Sequence, residues 1–231
     1  MAAAAGTWGF SLPAVERMRQ RLLRGGLATD CLQEAMADIE NDEETGVFVV
    51  GRGGYPNKDG IIQCDAAIME GQPGRFGAVA ALHGIGTPLA VARKVMEETP
   101  HSFLVGDGAV AFAKDQGFVV EDNSSLMSKK STEAYQKYLE TKKTLKKHDT
   151  LGLIALDIYG NITVGKREQH RPESGSDFMP ALCQMQMLLV DCVGPHLQLM
   201  GGSSDACLLG GKRKHDMRQQ PSGSFYLWVS L

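Results

Sequence analysis

A compact unit of α/β texture over the first 118 residues, with helices and strands alternating in blocks, is what the sequence predicts, on three observations. Apolar residues recur at helical spacing in four blocks. Short apolar runs of strand length stand between those blocks, and stretches rich in Gly, Pro, Asn and Asp mark the changes of period.

The first helix opens at Ser11 and Pro13, sets Leu12, Val15, Met18 and Leu22 on one face, and is closed by Gly25-Gly26. In "DCLQEAMADIE", Cys31, Leu32, Ala35, Met36 and Ile39 recur at the same spacing and predict a second helix packing inward. The period then changes. "GVFVVG" (46–51) and "IIQCDAAIM" (61–69) are strand-like runs separated by the turn composition "GRGGYPNKDG", and pairing of the two is the simplest expectation. Pro88 opens a third helix with Leu89, Ala92, Val95 and Met96 inward, "SFLVG" reads as a strand, and "DGAVAFAKDQG" as a helix ended by Gly117. From 119 to 147 the chain turns lysine-rich and poor in large aliphatics, the composition of a solvated helix or a mobile linker. "LGLIALD" then reads as a buried strand, with "IYGN" a hairpin turn into "ITV".

Composition narrows the function. The 231 residues suffice for a sizeable core, and 24 basic against 27 acidic side chains leave no broad electrostatic footprint for nucleic acid or an anionic membrane. The expected partner is therefore a small molecule, with no nucleic acid and no membrane. No signal-peptide pattern and no membrane-length apolar stretch occurs, so the chain as written is expected to be cytoplasmic. Five cysteines at irregular spacing, without a CxxC pair, indicate neither a disulfide framework nor a zinc site, and no metal or organic cofactor is expected. Asn123-Ser124-Ser125 and Asn161-Ile162-Thr163 are formal glycosylation sequons that matter only on an exported chain.

One junction stands out. His148-Asp149-Thr150 ends the charged run and places a threonine at the mouth of the "LGLIALD" strand. Alone, Thr150 is an ordinary β-branched residue at a strand start. Four segments change that weighting: "GTWGFSLPAVE", "GGYPNKDGIIQCDAAIMEG", "GAVAALHGIGTPLAVARKVMEETPHSFLVGDGAVAFA" and "HDTLGLIALDIYGNI". Together, and in this order, they resemble the glycosylasparaginase and plant-type asparaginase family of N-terminal nucleophile hydrolases over about residues 6–164. "GTWGFS" and the HDT junction are most similar to the glycosylasparaginase branch.

The resemblance implies an α+β fold, a four-layer αββα sandwich incomplete at its C-terminal end, and self-cleavage between Asp149 and Thr150, with His148 beside the scissile bond. A freed Thr150 supplies both a hydroxyl nucleophile and an α-amine base whose pKa lies near about 8. The implied reaction is hydrolysis of asparagine-linked amides, with N4-(β-N-acetylglucosaminyl)-L-asparagine the leading substrate and aspartate the product. It further implies Trp8 at the substrate pocket, a homo-oligomer of cleaved α and β chains, and the lysosome as the alternative compartment. Residues 1–149 would form the α half and 150–231 the β half, with family-like strands over 150–164.

Beyond Ile162 the resemblance stops. The family's threonine-rich "STSG"-type strand, its "GRVGDSP" segment, which clamps the substrate's α-carboxylate and α-amine, and its "ATGxG" segment, which supplies the oxyanion hole, have no counterpart. Arg171 is not an aligned replacement. Residues 165–231 read either as a divergent partner half or as unrelated sequence joined by splicing or a frame shift; their irregular periods favour the second. Two expectations follow. Loss of the partner strands should leave the Thr150 strand with an unpaired edge, and the alternative reading is a catalytically silent family member acting by binding or dimerisation.

Overall fold

The computed structural model describes residues 1–7, 9–42, 52–141, 150–169, 206–209 and 225–230. The expected strand at 46–51 lies outside them. The described elements are strand β1 (Ala2–Thr7), helices α1 (Leu12–Leu23) and α2 (Ala28–Asn41), strands β2 (Gln63–Glu70) and β3 (Phe76–His83), helix α3 (Pro88–Glu98), strand β4 (Phe103–Val105), helices α4 (Gly106–Asp115), α5 (Asn123–Leu126) and α6 (Lys129–Thr141), and strands β5 (Thr150–Leu156), β6 (Ile162–Gln169), β7 (Ala206–Leu209) and β8 (Phe225–Ser230). All eight strands join one sheet in the order β4-β3-β2-β6-β5-β1-β8-β7. Only β3–β4 and β7–β8 run parallel.

Helices α1 to α4 form where their apolar spacing placed them. Gly25, at φ +86°, ends α1, where its amide bonds to Leu22 O and that of Gly26 to Arg21 O. Helices α1 to α3 lay Met18, Leu22, Leu32, Met36 and Leu89 against Ile68, Leu82, Leu151 and Leu153 of the sheet, all fully buried. Each such side chain contributes roughly 1.5–3 kcal/mol on removal from water. Helix α3 approaches β3 so closely that a Cβ at Gly77 would stand 2.2 Å from Ala92 O. Over the lysine-rich run, α6 is a largely exposed helix, in line with a solvated helical segment.

The hairpin "IYGN" is held by one carboxylate. Buried Asp157 accepts the amides of Tyr159 (3.0 Å) and Asn161 (2.9 Å) on Oδ1, and the Asn161 side-chain amide (2.9 Å) and the Ala28 amide (3.1 Å) on Oδ2. It thereby joins the β5–β6 turn to the first residue of α2. The same bonds occupy the Asn161 side chain. At the other sequon, Asn123 donates to Gly60 O and accepts the Ile62 amide.

Three elements depart from the expectations. Strand β1 is alanine-rich, a composition that favours helix, yet it pairs along its length with β5 and β8. Strand β3 pairs with β2 in a stretch where no strand was foreseen. The β5–β6 hairpin continues past "ITV" to Gln169. The expected open edge at the Thr150 strand is a correction: β5 lies between β1 and β6, hydrogen-bonded on both sides.

Candidate active site

Strand alternation gives the sheet two distinct faces. Leu151, Leu153, Ala66, Ile68 and Arg167 point to the helix layer, as does the missing side chain of Gly165, whose Cβ would meet Leu32. The opposite face carries the positions of Thr150, Gly152, Ile154 and Leu156 on β5, and of Ile162, Val164, Lys166 and Glu168 on β6. One end of it is apolar, around Ala67, Ala78, Ile162 and Val164. The Thr150 end is polar.

Two rows cross the strands at that end. In the outer row, register places Glu168 between Thr150 on β5 and Asp65 on β2. In the next row, Lys166 lies between Gly152 and Ala67, and Thr7 of β1 extends the row beyond Gly152, accepting its amide at 2.9 Å on Oγ1. Lys166 is only 3% exposed. Gly152 offers no side chain beside it, and a Cβ there would touch only Thr7, at 3.6 Å. Asp65 sits at a register shift in β2, where its Oδ1 accepts the amide of Ala81 at 2.7 Å. Ala81 has φ +50°, a strained value for a residue with a Cβ, and this bond helps hold it.

Directly beneath, on the helix face, lies a buried ion pair. Glu40 Oε1 is 3.4 Å from Arg167 Nε and accepts the Leu89 amide at 3.3 Å, while Arg167 Nη2 donates to Cys64 Sγ at 2.8 Å. Among the described residues, Glu40 Oε2, Arg167 Nε and Arg167 Nη1 have no hydrogen-bond partner. Burial pushes the Glu40 carboxyl up to about 7, outweighing the downward pulls of Arg167 and the Leu89 amide. Burial likewise pushes the Cys64 thiol up. Among the described residues no cluster of His, Cys, Asp and Glu is arranged for a metal ion, and no helix is long and apolar enough to cross a membrane.

Of the residues singled out from sequence, Thr150 stands at the head of β5 in the middle of the sheet. His148, Asp149 and Trp8 lie outside the described residues; Trp8 follows Thr7, the last residue of β1. Thr7, Asp65, Lys166 and Glu168 were not singled out. For Lys166 and Glu168 the sequence carried no signal: alternation ends with Val164, "KREQ" is polar throughout, and only the continued pairing with β2 and β5 extends the strand and puts both on the Thr150 face.

The profile of the asparaginase family matches residues 4–166, from β1 to the second charged row, through all four helices of the core and through Thr150. The chain belongs to the asparaginase family. A glycosylasparaginase of Elizabethkingia miricola, named N(4)-(β-N-acetylglucosaminyl)-L-asparaginase, is 39% identical over 162 residues, which cover 68% of this chain and 46% of the relative. An isoaspartyl peptidase/L-asparaginase of Rattus norvegicus is 41% identical over 150 residues, 61% of this chain and 43% of the relative. A plant-type L-asparaginase of Pyrobaculum calidifontis is 37% identical over 172 residues, 68% and 58% respectively. This asparaginase-family chain thus spans about half the length of the curated relatives it matches. The family match stops at Lys166, so Arg167 and Glu168 lie outside it although they belong to the same strand.

Proposed function

We propose that the chain is an amidohydrolase of the N-terminal nucleophile class, which cuts itself between Asp149 and Thr150 and then hydrolyses the side-chain amide of asparagine-linked substrates. The observation that carries this reading is the position of Thr150. It is the first residue of a central strand, hydrogen-bonded on both sides, inside a family match that begins upstream of β1's partner residues and runs past the β5–β6 turn.

In the first reaction the Thr150 hydroxyl attacks the Asp149 carbonyl carbon, and the acyl group moves from nitrogen to oxygen. Water opens the resulting ester, leaving a carboxylate on Asp149 and freeing the hydroxyl and α-amine of Thr150. In the second, that amine takes the hydroxyl proton while the oxygen attacks the substrate's side-chain carbonyl. The proton passes to the departing amine, a β-aspartyl ester forms on Thr150, and water releases aspartate. N4-(β-N-acetylglucosaminyl)-L-asparagine is the substrate we favour, on the "GTWGFS" segment and the relative bearing that name. The architecture we propose is the αββα sandwich, with the described sheet and its helix layer forming one αβ half.

A second reading has its own observation. The family match ends within β6, and the buried Arg167 that follows leaves polar atoms without hydrogen bonds. A catalytically silent chain that acts by binding or dimerisation would tolerate such a defect near the nucleophile.

Denaturing mass spectrometry of the purified chain separates the two. The hydrolase reading expects fragments 1–149 and 150–231, lost on Thr150→Ala, together with aspartate release from the glycosylated asparagine. A chain that stays whole after prolonged incubation near neutral pH removes the amine base and overturns the hydrolase reading.

A further inference from the structure

We propose that Tyr135 is a positioning residue for the self-cleavage: by clasping α6 to the turn that precedes β2, it fixes the upstream end of the short segment carrying the Asp149–Thr150 bond. The assignment rests on the hydrolase reading and names what readies its first reaction.

Register puts the clasp and the bond at the same end of the sheet. Strand β2 begins at Gln63, and its Asp65 lies across β6 from Thr150, two strand spacings or about 10 Å away. The turn leading into β2 is held by one side chain. Asn57 Oδ1 accepts the amides of Asp59 (2.9 Å) and Ile61 (3.0 Å), and Asn57 Nδ2 donates to Gln63 Oε1 at 2.9 Å. Helices α5 and α6 grip that turn. Asn123 bonds Gly60 O and the Ile62 amide, and Leu126 packs with Ile62 and Cys64. Tyr135 lays its ring over Gly60, where a Cβ would stand 3.1 Å from it, and donates its hydroxyl to Lys58 O at 3.1 Å. Ser131, the buried residue of α6, bonds to Ser128 at the helix's own start. Tyr135 therefore ties the middle of the helix to the turn.

Eight residues, 142–149, separate the end of α6 from the head of β5. Their downstream end is fixed, since register sets Thr150 opposite Glu168 within the sheet. An N-to-O acyl shift is favoured when the peptide is held away from its relaxed geometry, and such strain persists only where the surroundings over-determine it. A helix anchored at Tyr135 supplies the second fixed flank. Misplacing the reacting atoms by about 1 Å costs on the order of 100-fold in rate.

The test is the rate at which fragments 1–149 and 150–231 appear, by denaturing mass spectrometry, in full-length chains made by pulsed cell-free synthesis. The chains are the parent, Tyr135→Ala, Tyr135→Phe, an insertion of about six Gly and Ser residues after Thr141, and that insertion combined with Tyr135→Ala. Tyr135→Ala and the insertion should each slow cleavage by about 10- to 100-fold. The combination should be no slower than the insertion alone, because an anchor cannot act through a slack tether. Tyr135→Phe keeps the ring on Gly60 and should fall between the parent and Tyr135→Ala. A residue that merely supports the fold would slow the insertion variant by the same factor as the parent. That multiplicative outcome overturns the assignment, as does cleavage of Tyr135→Ala at the parental rate. If Tyr135→Ala does not fold, by circular dichroism, the insertion and Tyr135→Phe decide, and parental rates in both overturn it. A parent that stays whole overturns the hydrolase reading and this assignment with it. A parent that cuts itself no faster than its variants overturns the assignment alone.

Discussion

Replacing Glu40 by Gln should make the protein more stable at pH 8, although it removes half of a buried ion pair. Two effects oppose each other. Removing one partner of a buried pair usually destabilises by about 3–5 kcal/mol, because the other charge is left uncompensated. Here, however, burial of the carboxylate outweighs the attraction: Glu40 titrates at about 7 instead of 4.5. Its hydrogen bond from the Leu89 amide is long, and among the described residues Oε2 has none. The sign follows from the protons bound. Between 4.5 and about 7 the folded chain holds a proton that the unfolded chain has lost, so the stability Glu40 contributes is complete below 4.5 and disappears as the pH rises through 7. The difference of about 2.5 pH units corresponds to about 3 kcal/mol on an order-of-magnitude scale. Gln fixes the neutral form and can keep the Leu89 amide bond. The assay is urea unfolding of both proteins from pH 4.5 to pH 8.5. The gap between them should be small at the acid end and grow to about 3 kcal/mol in favour of Glu40→Gln above pH 7, which is about 6–12 °C in Tm for a chain of this size. A variant less stable than the parent at pH 8, or a gap that does not change with pH, would refute the reasoning and make the ion pair a net support.

Gly77→Ala should destabilise by more than about 3 kcal/mol, since its Cβ would stand 2.2 Å from Ala92 O and push α3 off the sheet; a chemical-denaturation midpoint near that of the parent would show that the helix can shift freely. Asp157→Ala removes the acceptor of four hydrogen bonds and should cost about 2–4 kcal/mol, with hydrogen exchange quickening at both the β5–β6 turn and the start of α2; faster exchange at the turn alone would show that the link to α2 carries no stability.

Much of this molecule is legible from one-dimensional pattern because its helices bury one stripe each. Val15, Met18 and Leu22 in the first helix, Leu32, Ala35, Met36 and Ile39 in the second, and Leu89, Ala92, Val95 and Met96 in the third repeat at helical spacing, and the glycines and prolines that bound the helices act locally. The strands are less legible. In β1 a run of alanines has no β signal of its own, and its conformation is set by pairing with β5 and β8, contacts well over a hundred residues away. In β3 Gly77 makes room for the close approach of α3, and with Ala78, Ala80 and Ala81 it leaves little alternation to read. The site divides the same way. Thr150 was identifiable because it lies in a distinctive local sequence. Lys166, Glu168 and Asp65 come together only through strand register, and the Glu40–Arg167 pair joins residues 127 positions apart through the packing of α2 on β6. The expected open edge at β5 failed for this reason too: its covering strand comes from the opposite end of the chain.

That strand order has a thermodynamic consequence. If the chain is cut before Thr150, β4, β3, β2 and β1 belong to one polypeptide and β6, β5, β8 and β7 to the other, so ownership changes three times across the sheet. The two pieces then interdigitate, and neither can leave without breaking hydrogen bonds at each of those boundaries. Scission would thus be silent in the native state and conspicuous in the denatured one. The uncut chain refolds as a single body, whereas the cut one must find its other half by diffusion, and its unfolding midpoint acquires a dependence on protein concentration.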